Sequence, residues 1–347
     1  MSEFLIPYAL FLAKTVTWVV ALLAIVIVVF GLARSAREHA GPERLDVRNL
    51  NRRYEHLADA VRGEILDEAQ RKALDKTRKE EAKSRDKLAK KGQTPDKPRL
   101  YVLRFQGDLQ ASAVDSLREE ISAVLQIARA DRDEVLLQLD SEGGMVHGYG
   151  LAASQLARLR AAGIRLTVAV DKVAASGGYL MACVAERVLA APFAIVGSIG
   201  VVAQLPNFHR LLQRLDVDYE LHTAGDYKRT LTMFGENTDA GREKFRVELE
   251  ETHTLFKRFV SEYRPQLDIE RVATGEHWFG SQALELKLVD RLQTSDDYLL
   301  ERLKDADLFG LSFRRRQPLV QRLSESLVKF GVGLRRSVEE AALPRWH

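Results

Sequence analysis

Apolar positions along this chain change their spacing several times, and each change predicts a different element. Residues 15 to 33, TVTWVVALLAIVIVVFGLA, are apolar on every face and carry no charge or proline. About 20 such residues span a hydrocarbon core as a helix, so a single membrane crossing is expected here. The plain alternatives are a cleaved secretory signal, for which the run is long, and a core helix, which would show a polar face. Residues 34 to 99 carry 19 Lys/Arg against 13 Asp/Glu, a surplus of +6. Apolar residues thin out from Ala69 to Pro98, which predicts a charged, largely helical stalk or linker.

After Arg99, short apolar runs alternate with helical spacing. Leu100–Phe105, Val135–Leu139 and Arg165–Val170 read as strands, separated by helical patterns at Val114–Ala130 and Tyr149–Ala162. The second helix stops at Gly163, a natural C-terminal cap. This β-α-β-α-β order calls for an α/β fold, a parallel sheet with covering helices. Such folds bind ligands at the carboxyl ends of the strands. The apolar stretch Leu180–Leu205 contains Glu186, Arg187 and Pro192, so it reads as short buried strands, Val188–Ala190 and Ala194–Val196, and not as a second span. Thr238–Tyr263 is a long amphipathic helix capped by Thr238 or Asp239. The expected organisation is an N-terminal segment with the membrane helix at 1–34, the stalk at 35–98, a main domain at 99–305, and a helical C-terminal extension at 306–347.

Composition removes several function classes. A net charge of +3 over 347 residues gives no argument for nucleic acid, and the basic stretch lacks the aromatic interleaving that single strands stack on. The same stretch reads as a solvated spacer or as a segment held against anionic lipid headgroups. The sole cysteine, Cys183, excludes an internal disulfide and a Cys-based metal site, and its apolar neighbours predict a buried thiol. There is no H-E-x-x-H, no Cys/His cluster and no G-x-x-x-x-G-K-[ST], and Gly148-Tyr149-Gly150 lacks dinucleotide spacing, so no metal or other cofactor is expected.

The candidate chemistry rests on a serine and a lysine 52 positions apart. Ser176, in Ala174-Ala175-Ser176-Gly177-Gly178-Tyr179, falls where a strand pattern gives way to a helix pattern. A serine hydroxyl is a poor nucleophile until a base takes its proton. The small residues around it leave it accessible, and the Gly177 N–H is a candidate oxyanion donor. The plain alternative is a helix N-cap. Lys228, after Gly225-Asp226-Tyr227, is the candidate base, provided burial lowers the affinity of its amine for a proton; otherwise it is a surface lysine. Ser198, in Gly197-Ser198-Ile199-Gly200, could orient that amine or could simply bond its own turn. Gly143 and Gly144, between a strand and a helix, could supply the other oxyanion donor or pair with a substrate strand. His147, His209 and His222 lack a recognisable partnership with a nucleophile.

Four landmarks in order resemble the signal peptide peptidase A family of serine/lysine proteases, family S49: Asp140-Ser141-Glu142-Gly143-Gly144, Ala175-Ser176-Gly177-Gly178-Tyr179, Gly197-Ser198-Ile199-Gly200-Val201 and Gly225-Asp226-Tyr227-Lys228. A later Ala283-Leu284-Glu285-Leu286-Lys287-Leu288-Val289-Asp290 is similar to the family's closing helix and turn. The resemblance covers about residues 100 to 300, and the apolar run and stalk resemble the family's short inner-membrane members. It implies a ClpP/crotonase-like fold, with Ser176 as nucleophile, Lys228 as general base and Ser198 as its orienting partner. Gly177 and one of Gly143 or Gly144 would form the oxyanion hole. It also implies peptide or protein substrates, a bacterial inner-membrane location and assembly of several copies. The family's turn usually reads Ser-Pro-Gly-Gly, whereas Glu142 stands at the proline position here.

The expected function is therefore a membrane-anchored serine endopeptidase with a small, apolar pocket for the residue before the scissile bond. An acyl-CoA enzyme on the same fold would leave the serine and lysine unexplained. A catalytically silent membrane scaffold would make the stalk the working part. Sidedness is divided. Arg34, Arg37, Arg44, Arg48, Arg52 and Arg53 follow the apolar run, which predicts a cytoplasmic bulk, while the resemblance implies a periplasmic one.

Overall fold

The short apolar runs build a mostly parallel sheet with helices on both faces. The computed structural model of the chain describes residues 14–19, 22, 43–91, 96–225 and 227–315. Among these residues the strands are β1 (Arg44–Asn49), β2 (Arg99–Gln106), β3 (Glu134–Ser141), β4 (Arg165–Ala175), β5 (Arg187–Ala190), β6 (Ile195–Gly197), β7 (His277–Phe279), β8 (Arg291–Leu292) and β9 (Asp307–Arg314). The helices are α1 (Leu50–Ile65), α2 (Glu68–Lys90), α3 (Val114–Ile127), α4 (Val146–Ala161), α5 (Gly177–Ala182), α6 (His209–Arg214), α7 (Asp239–Tyr263), α8 (Ile269–Val272), α9 (Gly280–Glu285) and α10 (Ser295–Arg302). The strand order is β1-β9-β2-β3-β4-β5-β8, with β6 beside β4 and β7 beside β6.

Alternation along the strands sends successive side chains to opposite faces. Leu103, Leu137, Val168 and Val188 stand in register across β2 to β5 and face the larger core, against α3, α4 and α5. Leu100, Val102, Leu136, Ala169 and Leu189 face the other way, onto Leu50 and Tyr54 of α1 and Tyr298 and Leu299 of α10. Both faces of this parallel sheet are thus covered.

β4 forks. Its first half, Thr167–Val170, pairs with β5, and its last three residues, Val173–Ala175, pair with β6. Asp171 and Lys172 lie exposed at the junction, and the register with β3 shifts at the same level. The sequence pattern predicts a strand ending at Val170 because this charged pair interrupts it. The longer strand carries the chain on to Ser176.

Residues 45–313 form one compact unit. The first part of the charged stretch belongs to that unit: β1 borders β9, and Asn51 accepts from the Leu308 N–H at 2.7 Å and donates to the Ala306 carbonyl at 3.2 Å. Arg78 joins α2 to α1 through paired hydrogen bonds to Asp59 of 2.9 and 2.7 Å. The C-terminal extension, expected to be helical, starts instead as strand β9, because Leu308 and Phe309 contact opposite cores beside β2. Residues 316–347 lie outside the described residues.

The second unit comprises residues 1–44 and 314–347, of which a helical stretch at 14–19 is described. The expected membrane helix at 15–33 lies, apart from 15–19 and 22, outside the described residues. Among the described residues, no helix is long and apolar enough to cross a membrane.

Candidate active site

Ser176 occupies the junction between β4 and α5 with φ 52° and ψ −117°, a left-handed conformation that costs a non-glycine residue about 1–3 kcal/mol. Two backbone bonds hold it there: its N–H donates to the Gly197 carbonyl at 2.8 Å, and its carbonyl accepts from Leu180 N–H at 3.0 Å. It stands at the N-cap position, yet its side chain makes no capping hydrogen bond. The helix-cap alternative therefore does not account for this serine. Its hydroxyl is uncommitted among the described residues, where it lines two openings.

The 141–144 turn is braced against it. Gly143 N–H donates to Ser141 Oγ at 3.1 Å, Ser141 Oγ bonds Tyr149 Oη at 2.6 Å, and Tyr149 Oη donates to the Asp108 carbonyl at 2.8 Å. Such a chain of bonds polarises along its length and fixes the turn. Burial raises the Tyr149 phenol above its ordinary range, so it stays a donor. Gly143 has φ 94°, and a Cβ there would lie 2.7 Å from Gly177 N and 2.8 Å from Ser176 Cβ. Close approach explains glycine at this position. The Gly143 N–H is already used by Ser141, whereas the N–H groups of Gly144 and Gly177 make no hydrogen bond among the described residues. Of the two turn glycines, Gly144 is the one with a free donor.

The first opening is an apolar cavity of about 380 Å³ between α4, α5 and α7, lined by Tyr149, Leu180, Val201, Val202, Leu255, Phe256 and Phe259 with Ser176 and Gly177. It differs from the small pocket expected from Ala174 and Ala175. Those alanines are buried in the sheet, and part of the cavity wall, Leu255, Phe256 and Phe259, comes from α7, far along the chain. The second opening is a cleft of about 750 Å³ that adds Glu142, Gly143, Ser198, Arg246, Glu250 and His253. Ser198 also has positive φ, 52°, with its N–H on the Glu276 carbonyl at 2.7 Å.

Lys228 is not brought to this site within the chain. It is exposed and lines neither opening. Its neighbour Tyr227 lies under Lys244 of α7, 5.3 Å from ring centroid to Nζ. His253, on the same helix, reaches the Ile199 carbonyl at 3.3 Å. Lys244 and His253 are nine positions apart, roughly 13 Å along a helix axis. His147, His209 and His222 line neither opening, and His222 pairs with Glu220 at 3.1 Å. His253 was not singled out from sequence; only folding brings α7 beside Ile199.

Cys183 is fully buried, and burial pushes its thiol up, so it is structural. Beneath α5, the Tyr179 hydroxyl donates to the Leu288 carbonyl at 2.9 Å. Arg264, 2% exposed, makes two bonds to Asp290, of 2.7 and 2.9 Å, and a third to the Lys287 carbonyl. These contacts anchor the end of α7 to the turn below the serine helix.

Comparison with known proteins gives a consistent family. Peptidase family S49 N-terminal matches residues 3–156, and Peptidase family S49 matches residues 158–308. The chain is similar to Probable protease SohB of Haemophilus influenzae, 48% identical over 99% of this chain and 95% of the relative. It is also similar to Probable protease SohB of Buchnera aphidicola subsp. Schlechtendalia chinensis, 50% identical over 86% of this chain and 100% of the relative. Among solved structures, a substrate-peptide complex of a mutant 1510-N membrane-bound stomatin-specific protease matches 67% of this chain and 100% of that chain, with 12% identity and a TM-score of 0.44.

Proposed function

The chain belongs to peptidase family S49, and on that premise we propose that it is a membrane-anchored serine endopeptidase of the ClpP/crotonase-like class, placed in the bacterial inner membrane by its 15–33 segment. The observation that carries the reading is the Ser176 hydroxyl, held at positive φ between two openings and, like the N–H groups of Gly177 and Gly144 nearby in the chain fold, without a hydrogen-bond partner among the described residues.

In this mechanism Ser176 Oγ attacks the scissile carbonyl carbon as its proton passes to the Lys228 amine, oriented by Ser198. Gly177 and Gly144 N–H groups receive the negative oxygen of the tetrahedral intermediate. The lysine then protonates the leaving amine, and water hydrolyses the acyl-enzyme by the reverse sequence. The apolar cavity, with Phe256 and Phe259 in its wall, suits a bulky aliphatic or aromatic side chain next to the scissile bond.

Lys228 must reach Ser176 for this to work, and a second copy of the chain is the proposed route. The chain between the openings and the lysine exposes Leu215 (62%), Leu221 (45%) and Tyr227 (67%), apolar surface that a neighbouring copy would cover. Burial there would also remove water from the amine, as a lysine base requires.

The test is labelling of the purified protein by a small fluorophosphonate. Wild type should label, and Ser176→Ala and Lys228→Ala should each fail to. Mixing the two variants should restore labelling on the Lys228→Ala chain if the base comes from a neighbour. Full labelling of either single variant would sink the dyad; no restoration on mixing would overturn the neighbouring-copy route.

A further inference from the structure

Two openings meet at Ser176, and they differ in chemistry. They share Gly144, Ser176, Gly200, Val201 and Val202, so an extended peptide crossing the serine would enter both. The apolar cavity has no charged side chain in its wall, whereas the cleft is lined by Glu142, Arg246, Glu250 and His253.

The charges of the cleft do not cancel. Arg246 is already paired with Glu243, one turn back on α7, at 2.8 Å. Glu142 and Glu250 have no ion-pair partner among the described residues. A cation entering the cleft therefore meets two carboxylates whose charge is unspent. Of the two, Glu142 is next in sequence to the glycine that packs on Ser176 Cβ. Its backbone belongs to the turn fixed by Ser141, Tyr149 and Asp108, so the root of the carboxylate is held in place although the side chain is exposed.

We propose that Glu142 is a specificity-determining residue for the peptidase reaction, a reading that rests on the proposed function above: it selects substrates with lysine or arginine within two positions of the scissile bond, on the side that lies in the cleft. Successive residues of an extended peptide point to opposite sides, about 3.3 Å apart along the strand, so one position should carry most of the preference. An ion pair at about 4 Å in a solvated cleft is modest, and a preference of about 3- to 10-fold is expected.

The test uses the full chain in detergent micelles with fluorogenic peptides of one sequence. Lysine, norleucine or glutamate is placed in turn at each of the three residues on either side of the scissile bond. Wild type, Glu142→Gln, Glu142→Lys and Glu250→Gln are compared by kcat/KM. At one position the lysine peptide should exceed the norleucine peptide about 3- to 10-fold in wild type. The ratio should fall close to one in Glu142→Gln, turn in favour of glutamate in Glu142→Lys, and shrink with added salt. A variant that merely disturbs folding or the lysine base changes every peptide alike and leaves the ratio where it was. Ser176-dependent cleavage whose lysine preference is absent, or survives Glu142→Gln, overturns this proposal alone. Loss of the preference only in Glu250→Gln overturns the assignment to Glu142. Absence of any Ser176-dependent cleavage overturns the peptidase reading and this one with it.

Discussion

Glu120 should make the stability of this protein fall with rising pH, and glutamine at that position should remove the effect. The carboxyl lies on α3 and is 4% exposed. One oxygen accepts from the Phe313 N–H at 2.8 Å, and the other is buried with no partner among the described residues. Burial pushes its pKa from an ordinary 4.5 up to about 7, opposed by the single Phe313 bond. The folded state therefore keeps a proton that the unfolded chain has released. Stability linked to this group is fully present below pH 4.5 and is lost as pH rises through about 7. Between pH 5 and pH 8 the loss is about 2.5 kcal/mol for a shift of this size. Glutamine keeps the acceptor for Phe313 and does not titrate. Any cost of burying its amide nitrogen is independent of pH and cancels when the two pH values are compared. Urea unfolding of the full chain in detergent, followed by tryptophan fluorescence at pH 5 and pH 8, measures this difference. Wild type should lose about 2.5 kcal/mol more than Glu120→Gln over the interval. Equal pH dependence in the two proteins, within about 0.5 kcal/mol, would refute a buried, proton-holding carboxyl.

Two further substitutions test the frame of the site. A Cβ on Gly177 would lie 2.4 Å from Tyr149 Cγ, in a ring whose hydroxyl is tied down, so Gly177→Ala should cost about 1–3 kcal/mol by overpacking and abolish fluorophosphonate labelling. Unchanged urea stability would show that the ring can withdraw. Arg264→Leu strips the buried arginine from Asp290 and the Lys287 carbonyl. It should cost about 2–4 kcal/mol, less than a wholly buried pair because Asp290 is 32% exposed. A loss under about 1 kcal/mol by the same measurement would show that water replaces the pair.

Much of this molecule is legible from local pattern. Strands β2 and β3, the helices at 114–127 and 239–263, and the short strands at 187–190 and 195–197 fall where the spacing of apolar residues puts them. Thr238 caps α7 as its position suggests, accepting from the Gly241 N–H at 3.1 Å. The serine in its run of small residues is also visible, because a strand that ends in Ala-Ser-Gly-Gly announces its own turn. These features depend on a residue and its near neighbours, and the chain specifies them before anything folds.

What the sequence left undecided involves partners far apart. The fork in β4 depends on β6, which takes its last three residues and carries the strand past Asp171 and Lys172. β9 is a strand because β2, about 200 positions earlier, offers it an edge. The cavity at Ser176 takes part of its apolar wall from Phe256 and Phe259 of α7, whereas the alanines beside the serine in sequence are buried in the sheet. Lys228, matched to Ser176 by motif alone, is exposed and lies outside both openings. The sequence by itself determined the periodic elements and the residue types fit for the chemistry, since periodicity and turn chemistry are local. Only the tertiary structure decided which of those residues share a cavity, how wide it is and which hydroxyl stays uncommitted, because those follow from contacts between segments that no local spacing encodes.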